Sequence, residues 1–217
     1  MALETERKTE AIFNSTPAQK QKDRILLLLR LVAFLATASA TIVMALNKQT
    51  ITLVVATIGN NPIKASLTAK FQHTPAFVLV LYSLLIPSLL HIYNDCACTF
   101  FVVANAQASF HNLLILVLEI VGHKIDFKGL RLAIIAILDM LIVVLAAAGD
   151  GAAVFMAELG KNGNSHARWN KICDKFQTFC DHGSGALIAS FIGLILLLII
   201  NIISIAKLFK PKSYNTI

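Results

Sequence analysis

The chain has 217 residues, of which 57% are hydrophobic and only 14% charged, and its formal net charge is +7. A soluble domain carries nearer a quarter charged residues, and the apolar content here lies in blocks long enough to cross a bilayer. Nucleic-acid binding does not explain the positive balance, because the 19 Lys and Arg are spread over all the polar segments and form no single basic stripe.

Residues 1–24 are polar, mixed in charge and without clear periodicity, and read as a cytosolic tail. Residues 25–46 form the first predicted span. A signal-peptide core runs to about 7–15 residues, so this longer block, preceded by polar residues, is expected to stay as an anchor. It carries one charge, Arg30, among the small residues Ala33, Ala36, Thr37, Ala40 and Thr41. Small residues four apart let helix backbones approach closely in lipid, although alanine is also widely tolerated in spans. Residues 47–75 read as a loop on the outer side. Within it, the β-branched stretch 51–56 fits a short strand or an interfacial contact, with Pro62 and Pro75 beyond it.

The apolar region 76–121 is longer than one span needs, and its second part, about 100–121, is taken as the second span. A short basic loop, 122–131, leads into the third span, 132–155, which contains Asp139 and ends in small residues from Ala146 to Gly151. The second outer loop, 160–184, holds the only tryptophan, Trp169, together with Cys173 and Cys180. The fourth span, 186–206, has Ala189 and Gly193 four apart, and a basic tail follows. The membrane domain is therefore bounded at 25–208, with 209–217 as a cytosolic tail.

A bilayer interior offers backbone groups no water, so these blocks must be helical. The expected fold is an all-α membrane protein: a tetraspan, MARVEL-like four-helix transmembrane bundle with both termini cytosolic. In that orientation the inner segments hold Arg7, Lys8, Lys20, Lys22, Arg24, Lys124, Lys128, Arg131, Lys207, Lys210 and Lys212. The outer loops hold fewer: Lys48, Lys64, Lys70, Lys161, Arg168, Lys171 and Lys175. Excess Lys and Arg on the cytosolic side favours this arrangement.

Arg30 and Asp139 are the most informative residues. A charge at mid-membrane costs about 2.5–3.5 kcal/mol on insertion scales and normally has a partner or a water path. Both residues lie on helices rising from the cytosolic side, at depths of roughly 7 and 10 Å for a rise of 1.5 Å per residue. Opposite charges at such depths can meet. Three readings compete: a structural ion pair between the first and third helices, independent snorkelling of Arg30 to the headgroups, and a proton or ion pathway. Asp150 and Glu158 read as solvated acids at the outer interface. The six histidines are scattered and form no nucleophile–base pattern, and phosphate-binding, dinucleotide and zinc-protease motifs are lacking, so neither an enzyme nor a cofactor is expected. Trp169 reads as an interfacial or loop anchor, or as a contact for a partner outside the cell.

Several stretches together resemble the Casparian strip membrane protein-like (CASP-like) family, in its group 1 and nearest the 1B type. They are Arg30; Ala45-Leu46-Asn47-Lys48-Gln49-Thr50; Phe71-Gln72-His73-Thr74-Pro75-Ala76-Phe77; and Val102-Val103-Ala104-Asn105. Further along come Leu138-Asp139-Met140, Ala148-Gly149-Asp150-Gly151-Ala152-Ala153, and Asn162-Gly163-Asn164 through Trp169, Cys173 and Cys180. The resemblance implies a plasma-membrane protein that forms homodimers, heterodimers and larger oligomers with other CASP-like proteins. It also implies a scaffold that organises cell-wall enzymes, and an arginine and an aspartate at the positions of Arg30 and Asp139. A small transporter or channel subunit using that pair is the alternative. One departure is a segment of about residues 79–99 that separates two halves the family joins directly; a retained intron or mis-predicted splice site would account for it. A fifth span would need a very tight turn at 94–96 and a kink at Pro87, so the segment is expected outside the membrane or at its interface. Cys173 and Cys180, in a loop on the oxidising side, read as a disulfide, which the resemblance also implies. A zinc site with His166 and His182 is the alternative, although the spacing matches no standard motif.

Overall fold

A computed structural model of the chain describes residues 17–58, 61–70, 97–121 and 130–209. Four helices carry the fold: α1 (Pro17–Leu46), α2 (Ala97–Val121), α3 (Leu130–Asn162) and α4 (Gln177–Phe209). Each contains a stretch long and apolar enough to cross a membrane. Proline at the first position of α1 is tolerated because the N–H it lacks would have no helical partner there. An antiparallel hairpin of β1 (Lys48–Ile58) and β2 (Asn61–Lys70) follows α1, so the fold is helical with one β appendage. The stretch 51–56 is thus the middle of an 11-residue strand. Segment 79–96, with the questions of an insert and a fifth span, lies outside the described residues, as do both tails' outer parts and the basic loop 122–129.

Neighbouring helices are antiparallel and packed in a square. α1 and α3 each pack against α2 and α4 and face each other across the diagonal. At one end, Lys207 Nζ of α4 meets Asp23 Oδ1 of α1 at 2.7 Å; this is the tail end. At the other, the Asn47 side-chain amide donates to the Phe179 carbonyl at 2.8 Å, and the Phe179 N–H donates to Gln49 Oε1 at 2.8 Å. These two bonds fasten the base of the hairpin to the start of α4. Beyond its base, the hairpin is zipped from Lys48↔Lys70 to Ile58↔Asn61, with a bulge between Val54 and Ala56.

The radial order of side chains inverts that of a soluble bundle. Leu28, Leu35, Ile137 and Ile188 are more than half exposed, whereas Ala33, Ala40, Ala104, Ala108, Ala146 and Ala153 are buried. Lipid supplies no hydrophobic drive between helices, so close contact between small residues takes its place. A Cβ added to Gly193 of α4 would sit 2.8 Å from Thr37 Cγ2 of α1, and one on Gly149 of α3 would sit 2.9 Å from Ala104 Cβ of α2. The helices also outrun their apolar cores: α3 continues to Asn162 and α4 begins at Gln177, beyond the spans expected at 132–155 and 186–206. Residues 160–162 and 177–184 of the stretch expected to be a loop are therefore helical.

Candidate functional site

Close packing of small residues leaves a narrow interior, and the tail half of that interior is charged. Arg30 and Asp139, from the two diagonal helices, meet in a two-pronged contact: Nη1 to Oδ1 at 3.1 Å and Nη2 to Oδ2 at 2.7 Å. Parallel N–H···O bonds of this kind combine charge with fixed geometry. Arg30 is 0% and Asp139 1% exposed, so the guanidinium points into the protein and does not reach for headgroups. The remaining carboxylate lone pairs are also taken up. His111 Nε2 of α2 lies 2.8 Å from Oδ1, and the Ser204 hydroxyl of α4 donates to Oδ2 at 3.4 Å. With its proton on Nε2, the imidazole donates to the carboxylate. Glu119 Oε1 of α2 stands 3.7 Å from Arg30 Nε, a second negative charge beside the guanidinium. All four helices converge on one carboxylate–guanidinium pair.

A second polar contact lies nearer the hairpin end. The Ser190 hydroxyl of α4 is 2.5 Å from Asp150 Oδ1 of α3 and 2.8 Å from Asn105 Oδ1 of α2, and the Asn105 amide donates to the Phe101 carbonyl at 3.1 Å. Asp150 is 1% exposed, which corrects its reading as a solvated interfacial acid. Because α3 continues three further turns past Asp150, the residue lies inside the bundle. The small residues around it let α2 and α4 close over it. Glu158, by contrast, is exposed and bonded to Asn162 on its own helix.

The loop at the hairpin end is covalently closed. Cys173 and Cys180 form a disulfide with Cα atoms 5.7 Å apart, tying the loop to the first turn of α4. Both sulfurs are thereby removed as zinc ligands, and no group of three potential metal-binding side chains occurs among the described residues. Gly163, at φ +70°, ends α3, and any Cβ there would come 2.7 Å from the Trp169 carbonyl. Asn164 then pairs with Trp169 through two backbone bonds of 2.9 Å, while its side-chain oxygen accepts from the N–H groups of His166 and Ala167. This framework holds Trp169 about half exposed.

Sequence reasoning singled out Arg30 and Asp139 but missed His111, Glu119 and Ser204. A signal existed in α2, where Asn105, Asn112 and Glu119 recur at seven-residue spacing on one helical face. The histidine gave no such signal, since a lone imidazole in an apolar run looks the same whether it faces lipid or a carboxylate.

Fold and site together define a multi-pass membrane protein in which Arg30 and Asp139 pair inside a four-helix bundle. The chain belongs to the Casparian strip membrane protein domain family, whose profile matches residues 19–98 and 91–196. These two matches meet within the segment set apart at 79–99. The chain is 59% identical over 218 residues to a CASP-like protein 1B2 of Populus trichocarpa, covering 100% of this chain and 98% of that protein. It is 56% identical over 211 residues to a CASP-like protein 1B1 of Glycine max, covering 97% and 98%. A CASP-like protein 1B2 of Arabidopsis thaliana is 55% identical over 194 residues, covering 89% and 88%. No solved structure matches the chain.

Proposed function

We propose that the chain is a non-enzymatic scaffold of the plasma membrane, with both termini cytosolic. It forms homodimers and hetero-oligomers with CASP-like relatives and organises cell-wall enzymes at its outer face. The observation that carries this reading is the Arg30–Asp139 fork across the bundle diagonal. A buried guanidinium consumed by a buried carboxylate holds the two non-adjacent helices at fixed separation and presents a rigid apolar exterior to lipid and to further copies. Breaking such a pair by removing one partner costs about 3–5 kcal/mol, because the other charge is stranded. The polar loop between α3 and α4, with half-exposed Trp169, forms the surface available to partners outside. Residues 79–99 we read as an insert of splicing origin, to be tested by messenger RNA reads that lack those codons.

In living plant cells, a fluorescent fusion should form patches that recover slowly after photobleaching, and Arg30→Ala should disperse them or block surface delivery. Rapid, uniform recovery of the native protein would sink the scaffold reading. A transporter or channel subunit is the second reading, favoured by one observation: His111 and Glu119 add two titratable groups to the pair. Proteoliposomes discriminate, since transport requires a flux that disappears in Asp139→Asn while a scaffold gives none.

A further inference from the structure

The β1–β2 hairpin is fastened to the bundle at its base, and its two sides differ. In an antiparallel pair, residues directly opposite each other point to the same side, and the sides alternate along each strand. One side carries Lys48↔Lys70, Thr50↔Thr68, Thr52↔Ser66 and Val54↔Lys64, and the Thr50 and Thr68 hydroxyls meet there at 3.0 Å. The other carries Ile51↔Leu67, Leu53↔Ala65 and, past the bulge, Ala56↔Ile63. None of these six is charged or bears a hydroxyl. All three lysines of the hairpin thus lie on one side, and its aliphatic pairs on the other.

The apolar side is the one turned towards the bundle. Gln49 shares it, opposite Ala69, and its Oε1 accepts from the Phe179 N–H at the start of α4. Farther along the same side, Ile63 and Leu67 are about half exposed, so the bundle does not cover them. A strand of ten residues reaches about 33 Å and outruns a four-helix square roughly 20 Å across. The bilayer lies beyond that square. β1 starts two residues after the largely exposed Leu46, where the membrane stretch of α1 ends, so its apolar side continues the lipid-facing surface of that helix. A second copy of the chain is a poorer match. Two strands about six residues long present roughly 200 Å², against about 800 Å² per partner in a stable complex. We propose that the hairpin lies on the bilayer, with Ile51, Leu53, Ile63 and Leu67 in the headgroup layer of the adjacent leaflet and its lysines and hydroxyls turned to water.

The test uses the full chain in phosphatidylcholine nanodiscs, in a Cys96→Ser, Cys98→Ser background, with one nitroxide label at a time on an introduced cysteine. Leu53→Cys, Ile63→Cys and Leu67→Cys report on the apolar side; Thr52→Cys, Lys64→Cys and Ser66→Cys report on the polar one. Oxygen concentrates in lipid, whereas a nickel chelate stays in water. The ratio of their effects on label relaxation should be about tenfold higher on the apolar side, alternating between neighbouring residues. Leu53→Asp together with Leu67→Asp should lift the hairpin and bring the ratio at Ile63→Cys down to that at Lys64→Cys. An intact disulfide and unchanged helical circular dichroism confirm that each variant folds. Equal nickel access on both sides would overturn the proposal, since the hairpin would then stand in water. So would apolar-side labels shielded from both oxygen and nickel, because protein (residues 71–96 or a second copy) would then cover that side. No outcome touches the scaffold reading, which does not depend on how the hairpin lies.

Discussion

Asp139 and Asp150 sit on one face of the same helix, three turns apart, and each is 1% exposed, yet they solve burial in opposite ways. Asp139 is met by a guanidinium, an imidazole and a hydroxyl from the three other helices. Asp150 is met only by neutral groups, the Ser190 hydroxyl and the Asn105 amide, and no cation lies within ion-pair distance of it among the described residues. Burial alone therefore says little about what a carboxyl does in a membrane. The partner decides: removing Asp139 strands a charge, whereas replacing Asp150 by a neutral residue strands only hydrogen bonds.

That contrast can be broken by substitution. Asp139→Ala should show the largest effect, about 3–5 kcal/mol of lost stability, seen as failed surface delivery and a collapsed melting transition in detergent. Normal delivery of this variant would mean that Arg30 has another route to solvent. Exchanging the charges, Arg30→Asp with Asp139→Arg, should restore delivery only in part, because the new acid at position 30 faces Glu119 across what was a 3.7 Å contact. Adding Glu119→Gln should improve the rescue, and no improvement would remove Glu119 from the cluster.

Opening the disulfide by Cys173→Ser should cost less, about 2–3 kcal/mol for so short a loop, and only at the hairpin end. Proteolysis should then cut within residues 163–176 while the helical signal persists. Loss of the whole bundle would instead make the loop a foundation of the fold. Smallest of all, Asp150→Asn should cost about 1 kcal/mol or less, because an amide can still bond Ser190 and leaves no charge behind. A loss as large as that of Asp139→Ala would erase the distinction between the two sites.

His111 sharpens the picture further. Its contact with Asp139 is a hydrogen bond that glutamine can imitate, so His111→Gln should leave delivery near normal and His111→Leu should reduce it. Equal behaviour of the two variants would show that the imidazole contributes only packing.

Much of this protein is written in composition and spacing alone. Apolar blocks of spanning length dictate helices, because backbone groups in hydrocarbon have no other partners. An arginine and an aspartate at matching depth, on helices of the same direction, make an ion pair one of three readings, beside snorkelling and an ion pathway. What no linear pattern could decide was which helices are neighbours. Arg30 and Asp139 reach each other across a diagonal, and only that square arrangement brings His111, Glu119 and Ser204 to the same point. Tertiary structure likewise turned Asp150 inward, since a residue's depth depends on how far its helix continues beyond it. It also made a strand pair of residues 48–58 and 61–70, where β-branched side chains without a second sheet gave only a weak local preference. Hydrophobicity is a property each residue carries with it, whereas polar satisfaction belongs to the partners that folding brings together.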